Sequence, residues 1–424
     1  MRTLPAIALL RSLFDAAVAA VNPELCVPRH LPMRPDGRIL AVGAGKASAM
    51  MAHAVEGAWD GPLCGLVVTR YGHAVACRSI EVVEAGHPHP DGVGLEAAER
   101  MLRLVSALGQ DDVVLALISG GGSALLPCPV EGLTLADEQA VGRLLLASGA
   151  AIGEINCVRK HISRIKGGRL ARAAFPAKVV TLIISDVPGD VASDVASGPT
   201  LADPTTAADA LHILERYRID VRARIVEHLR RGHDETPKPG DPGLARSEWR
   251  IIARARDALE AAAQCARKHG IEPVILGDDI QGEARDVARA HAQIAIRCAQ
   301  GNGPAKLPCV LLSGGETTVT VRGNGRGGRN AEYALALALA LQDYPGISAL
   351  AADTDGIDGT EDNAGAIVTS DSLQRATALG IDAGEHLADN DAYSFFASLG
   401  DLVITGPTFT NVNDFRAILI EASA

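Results

Sequence analysis

The sequence predicts two α/β domains, the first built on a parallel sheet with helices on both faces. Three observations carry this. Runs of Val, Ile and Leu recur along the chain with helical patterns between them. The runs are continuous rather than alternating, as strands buried on both faces require. Several end in loops of Gly, Ser and Asp, as where parallel strands give way to helices.

In chain order, "MRTLPAIALLRSLFDAAVAA" (1–20) is apolar but interrupted by Arg11 and Asp15. Ile7, Leu10, Phe14, Val18 and Val21 fall at helical spacing, which predicts an amphipathic helix docked on the first domain rather than a signal peptide. Strands are expected at "ILAVG" (39–43), "LVVT" (66–69), "VVLALISG" (113–120) and "KVVTLIISD" (178–186). The stretch "RRGHDETPKPGDPGLARSEWR" (230–250) is charged, has three prolines and lacks periodicity. It reads as a linker or boundary between an N-terminal domain at 1–235 and a C-terminal domain at 250–424. Further strands are expected at "RIIARA" (250–255), "CVLLSGGE" (309–316), "ISALAADTDG" (347–356) and "DLVITG" (401–406).

Composition bounds the function. The 424 residues exceed one ordinary core, 47% are apolar, and the formal charge is −11,. An acidic chain argues against nucleic acid as partner. No apolar run approaches the roughly 20 residues that span a bilayer; "YALALALALQ" (333–342) is too short,. The eight cysteines include no C-x-x-C pair, which disfavours a zinc ribbon and points to a reducing cytoplasm,. A homo-oligomer stays open.

Five loops at strand ends carry polar groups: Gly45-Lys46; Ser119-Gly120-Gly121-Gly122-Ser123; Asp186 to Asp190; Ser313-Gly314; and Asp353 with Asp355. Ligands of open parallel sheets bind beyond the carboxyl ends of strands. Glycines let backbone N–H groups approach phosphate oxygens, lysine adds a compact charge, and carboxylates suit Mg²⁺. Lys46 is not a P-loop lysine, because Leu40 and Ala47 stand where glycine and a hydroxyl are needed,. Gly43-x-Gly45-x-x-Ser48 approaches a dinucleotide fingerprint, but no acid follows "LVVT"; Arg70 there keeps an NADP reading in play,. In "VRGNGRGGRNAEYALALALA" (321–340), Arg326 and Arg329 interleave with glycines before a helix, with Asn330 as N-cap, and read as an anion clamp,. In "INCVRKHISRIKGGRLAR" (155–172), Arg159, Ser163 and Lys166 share a helix face,. "GHPHPDG" (86–92) reads as a proline-stiffened loop rather than a metal site at His87 and His89.

Together these segments resemble the class II glycerate 2-kinase family. The carrying stretches are "AVGAGKAS", "GHPHPDG", "ISGGGSALL", "CVRKHISRIKGGRLA", "SDVPGDVASDVASGPT", "LSGGETTV", "GRGGRNAE", "ADTDGIDGTEDNAGA" and "TGPTFTNVNDF", in order from about residue 40 to 415. The resemblance implies an N-terminal Rossmann-like domain and a C-terminal MOFRL-type domain. It also implies phosphorylation of D-glycerate at its 2-hydroxyl with ATP and Mg²⁺. Lys46 matches the family's active-site lysine. Arg326, with Arg329 close behind, matches its catalytic arginine, and Asp186 or Asp190 a further functional position. The site is expected in a cleft between the domains. The expected binding groups are Gly45, Ser119 to Ser123, Ser313, Gly314, Arg329 and Asn330, with Asp353 and Asp355 the metal candidates. Competing readings are an NADP-dependent hydroxypyruvate reductase, a name some members carry, and a non-catalytic ligand-binding protein. One departure is Phe409, where the family usually has glycine; a ring there would reshape the adjacent site.

Overall fold

The run "ILAVGA" forms β1 (Ile39–Ala44), buried along its whole length. In the computed structural model, which describes residues 5–422, β1 lies in the middle of a six-stranded sheet. The others are β2 (Cys64–Arg70), β3 (Ile80–Ala85), β4 (Val113–Ser119), β5 (Lys178–Ile184) and β6 (Ser247–Ala253). Their order is β3-β2-β1-β4-β5-β6, and every neighbouring pair is parallel. This is the expected parallel sheet.

The order has a chemical consequence. The chain leaves β1 toward β2 and β3, then returns to β4 on the other side. Adjacent strands whose connections depart in opposite directions open a crevice at their carboxyl ends, where such sheets take ligands. Right-handed crossovers put the helices of these opposite connections on opposite faces. Helix Ser48–Ala58 packs on β2 and β4. On the other face, Leu40, Val42 and Ala44 share a core with Ala97, Ala98, Met101 and Val105 of helix Gly92–Ser106.

The described residues form two compact units, 23–253 and 5–22 with 254–422. In the second, β7 (Glu272–Gly277), β9 (Cys309–Gly315), β11 (Ile347–Asp353), β12 (Gly365–Val368), β13 (Leu402–Val403) and β14 (Asp414–Ile420) form a sheet of order β13-β12-β11-β14-β9-β7. Two short strands, β8 (Gly282–Glu283) and β10 (Thr317–Thr318), pair separately.

Only β7 and β9 run parallel in the larger sheet; β14 is antiparallel to both neighbours. Continuous apolar runs there suggested parallel strands. They report burial on both faces, and burial does not fix direction.

Two further expectations change. The N-terminal helix, Ala6–Ala20, buries Leu9, Leu10, Leu13, Phe14 and Ala17. It packs not on the first domain but on helix Ala255–Lys268 and on β14, with Phe14 and Phe415 ring centroids 5.7 Å apart. The stretch 230–250 is no loose linker. Asp234 binds Arg169, Glu235 binds His161 at 3.2 Å, and Thr236 is buried against Asp203 at 3.0 Å. Its charges look solvent-directed in sequence because their buried basic partners lie some seventy residues earlier. No single helix among the described residues is long and apolar enough to cross a membrane.

Candidate active site

Beyond β1 and β4, the structure brings together Gly45, Lys46, Ser119, Gly120, Gly121, Gly122 and Ser123. Gly45 has φ +143°, and a Cβ there would lie 2.1 Å from Ser119 Oγ. Glycine is therefore required by the close approach of β4. The loop amides are engaged within the protein. Gly45 N–H donates to Val68 O (3.1 Å), Lys46 N–H to Gly120 O (2.8 Å) and Ser48 N–H to Gly45 O (3.2 Å). Ala47 N–H donates to Ser119 Oγ at 3.0 Å. Gly43, the other fingerprint glycine, is packed on Leu117, whose carbonyl oxygen would sit 2.1 Å from a Cβ. These glycines serve strand packing rather than a pyrophosphate, so Lys46 can act only through its side chain.

Around the crevice, a Cβ on Gly121 (φ +81°) would lie 2.9 Å from His87 Nε2 and 3.4 Å from Lys46 Cγ. His87, read from sequence as a loop residue, thus stands beside Lys46. The available signal was its position just after a strand, β3. Ser123 Oγ lies 2.8 Å from Ser197 Oγ, which donates to Asn156 Oδ1 at 2.9 Å. Ala196 (φ +53°) and Ser197 (φ +58°) are left-handed, a strained backbone of the kind that collects at functional sites. Sequence reasoning had singled out neither Ser197 nor Asn156. Asp186 and Asp190 follow β5, the neighbour of β4; Asp190 has φ +53°.

In the second unit, the glycine-rich loop is not an open anion nest. The amides of Arg322 and Gly323 donate to Asn390 Oδ1 (2.7 and 3.1 Å), and that of Asn324 to Asp389 Oδ1 (2.9 Å). Gly325 N–H donates to Asp389 O and Arg326 N–H to Asp391 Oδ1, each at 2.9 Å. An internal acidic turn occupies the loop. The helix Arg329–Ala340 begins after Gly328, not at an Asn330 cap. Its first amides, Asn330 and Ala331, donate to the Asp358 carboxylate at 2.9 and 2.8 Å. Burial pushes the Asp358 carboxyl up to about 6, while those two amides pull the other way.

The two arginines separate here. Arg329 joins Asp414 (2.7 Å), Glu316 (2.7 Å) and Asp353 (2.9 Å). Burial alone would raise the Asp414 carboxyl; Arg329 and Arg416 outweigh it and hold it below the ordinary range. Asn330 is buried and donates to Asp414 at 2.8 Å. Arg326 instead has a side chain 60% exposed, paired with Glu361 and 4.5 Å over the Tyr393 ring. Ser313 and Gly314 are not loop residues. They lie inside β9, in register with Arg416 and Phe415 of β14. Asp353 Oδ2 is taken by Arg329 and its Oδ1 accepts the Asp355 amide, while Asp355 Oδ1 accepts from Ile357 N–H. A cation held by Asp353 Oδ2 would meet the Arg329 guanidinium there. No group of three His, Cys, Asp or Glu among the described residues is arranged to hold a metal.

Two family models match the chain. A model described as a domain of unknown function, DUF4147, matches residues 9–230, and the MOFRL family model matches 309–414. The chain is 41% identical over 406 residues to the D-glycerate 2-kinase of Thermotoga maritima, covering 95% of this chain and 96% of that one. The chain belongs to the glycerate 2-kinase family. The crystal structure of a glycerate kinase from Thermotoga maritima superposes with a TM-score of 0.88 at 40% identity, over 97% of this chain and 99% of that one. A relative from Agrobacterium vitis, 56% identical over 414 residues (97% and 94% of the two chains), bears the name putative hydroxypyruvate reductase. At position 409 the resemblance led to an expectation of glycine. Phe409 holds φ +59°, a conformation that costs any residue with a Cβ.

Proposed function

We propose that the chain transfers the γ-phosphoryl group of ATP to the 2-hydroxyl of D-glycerate, giving 2-phospho-D-glycerate and ADP. The observation that carries this reading is the lysine at the switch point. Its backbone amide and those of its neighbours are engaged internally, so the loop offers a cationic side chain and no phosphate-binding nest. A positioned charge is what phosphoryl transfer asks of a protein, because catalysis there is mostly positioning and charge neutralisation. Lys46 offsets charge on the transferring group. Arg326 is the second cation of the reading, since Arg329 is held by three carboxylates. Asp186 and Asp190 are the carboxylates assigned to accept the hydroxyl proton or to meet Mg²⁺. The ion enters on the ATP phosphates, in keeping with its preference for phosphate and water ligands.

The reductase name on the Agrobacterium vitis relative gives the second reading. It would use Gly43-x-Gly45 for a dinucleotide and Arg70 for its 2′-phosphate. The occupied amides of residues 45–48 oppose it. The cysteines of the described chain are free thiols, which suits the cytoplasm we assign. Phosphorus NMR of a reaction with D-glycerate and Mg-ATP tests the reading. The expected product resonance is that of 2-phosphoglycerate. Formation of 3-phosphoglycerate, or of no phosphoglycerate, contradicts it.

A further inference from the structure

The basic residues of the 155–172 segment are mostly buried against acids. Lys160 meets Asp194 (3.4 Å) and Asp203 (3.5 Å), His161 meets Glu235 (3.2 Å), Lys166 meets Glu138 (2.8 Å), and Arg169 binds Asp234. Most of the segment's basic charges are thus neutralised inside the fold. Its helix also stops at His161, so Ser163 leaves the face expected to carry it.

Arg159 is the exception. It is only partly exposed, yet it forms no hydrogen bond or ion pair among the described residues. It lines a cavity of about 120 Å³ together with Ser123, Glu138, Lys166 and His89. Burial lowers the Arg159 pKa from the ordinary arginine value, with Glu138 pulling it back. Glu138 is also incomplete. Its Oε1 accepts from Lys166 Nζ at 2.8 Å, while its Oε2 is buried with no hydrogen-bond partner. That oxygen is enclosed by protein, so the unpaired group presented to the cavity is the Arg159 guanidinium.

The unpaired guanidinium describes a ligand. A guanidinium presents a planar fork of donors that matches a carboxylate. The volume admits a molecule of a few heavy atoms and falls below the ~300–1,000 Å³ of larger ligand sites. Ser123 joins the cavity to the loop after β4, where Gly121 lies against Lys46 and His87.

We propose that this cavity is the acid-binding subsite, in which Arg159 holds the carboxylate of a small 2-hydroxy acid. The assignment rests on the kinase reading and adds the contact that selects the acceptor.

Calorimetry of the full chain with D-glycerate alone measures the subsite without turnover; steady-state kinetics with D-glycerate and Mg-ATP measures it during turnover. Arg159→Met is expected to weaken D-glycerate binding and raise its KM roughly 10- to 100-fold, with the KM for ATP unchanged. Arg159→Lys keeps the charge without the fork and should fall between. Unchanged glycerate binding in a folded Arg159→Met chain overturns the proposal. So does a rise in the ATP KM in place of the glycerate KM, which would give the cavity to phosphate. If Arg159→Met does not fold, the Arg159→Lys comparison decides by the same criteria. Failure of the unmodified chain to release ADP with D-glycerate counts against the kinase reading alone, because binding and its loss at Arg159 are read without ATP.

Discussion

The Lys46 amide donates to the Gly120 carbonyl across 2.8 Å, tying the loop after β1 to the loop after β4. The bond ties down the backbone on both sides of the switch point, so the role we propose for Lys46 falls to its side chain. Gly45, one residue earlier, is what permits the approach.

Gly45→Ala should therefore destabilise the first unit. The new Cβ would meet Ser119 Oγ at 2.1 Å and Ser119 O at 2.4 Å, at a φ of +143°. A loss of at least about 2 kcal/mol is expected. Both tryptophans, Trp59 and Trp249, lie in residues 23–253, so fluorescence-detected urea unfolding reads that unit alone. An unchanged midpoint would mean that the loops can separate freely.

Arg326 and Arg329 should fail differently. Arg326→Ala is expected to keep the fold and lose roughly 100-fold or more in kcat, as for removal of a transition-state charge donor. Arg329→Ala takes the arginine partner from buried Asp353 and leaves Asp414 with Arg416 alone, which should cost about 3–5 kcal/mol. Thermal unfolding by circular dichroism, run beside kinetics, separates the two. Equal effects on stability would contradict the assignment.

Asp112 gives a pH signature. Arg38 at 3.0 Å, with the Gly109 and Arg38 amides, holds its carboxyl down to about 2, against a smaller burial effect. A depressed folded pKa stabilises above the unfolded value near 3.8, and that stability is lost as pH falls toward 2. Asp112→Asn should cost about 1–2 kcal/mol at pH 7, and the gap should close between about pH 4 and pH 2. A gap that is constant with pH would contradict the ion-pair origin.

Phe409 holds a left-handed φ of +59°. Among small replacements, Phe409→Gly should be more stable than Phe409→Ala by about 1 kcal/mol. Equal melting temperatures would show that the loop relaxes to another conformation.

Much of the first sheet was legible because β1, β4 and β5 are uninterrupted apolar runs that stop at glycine or serine. The C-terminal sheet was less so. Its strand β14 was missed because Asp414 and Arg416 break the apolar pattern, and they do so as a buried pair that neutralises itself. The stripe on the N-terminal helix said that it docks, but not on what. The glycine-arginine loop looked like an anion clamp because the acidic turn that fills it, Asp389 to Asp391, lies some sixty-five residues away. Arg159 looked like its basic neighbours, since only tertiary pairing sets it apart.

The central claim is that Lys46 serves phosphoryl transfer through its side chain and does not mark a dinucleotide loop. Rates of ADP release with D-glycerate and Mg-ATP, and of NADPH oxidation with hydroxypyruvate, measured on the unmodified chain and on Lys46→Met, test it most directly. The account predicts glycerate-dependent ADP release that falls by roughly 100-fold or more in a folded Lys46→Met chain, with NADPH oxidation at background in both. Robust NADPH oxidation without ADP release, or near-normal ADP release by Lys46→Met, would contradict it.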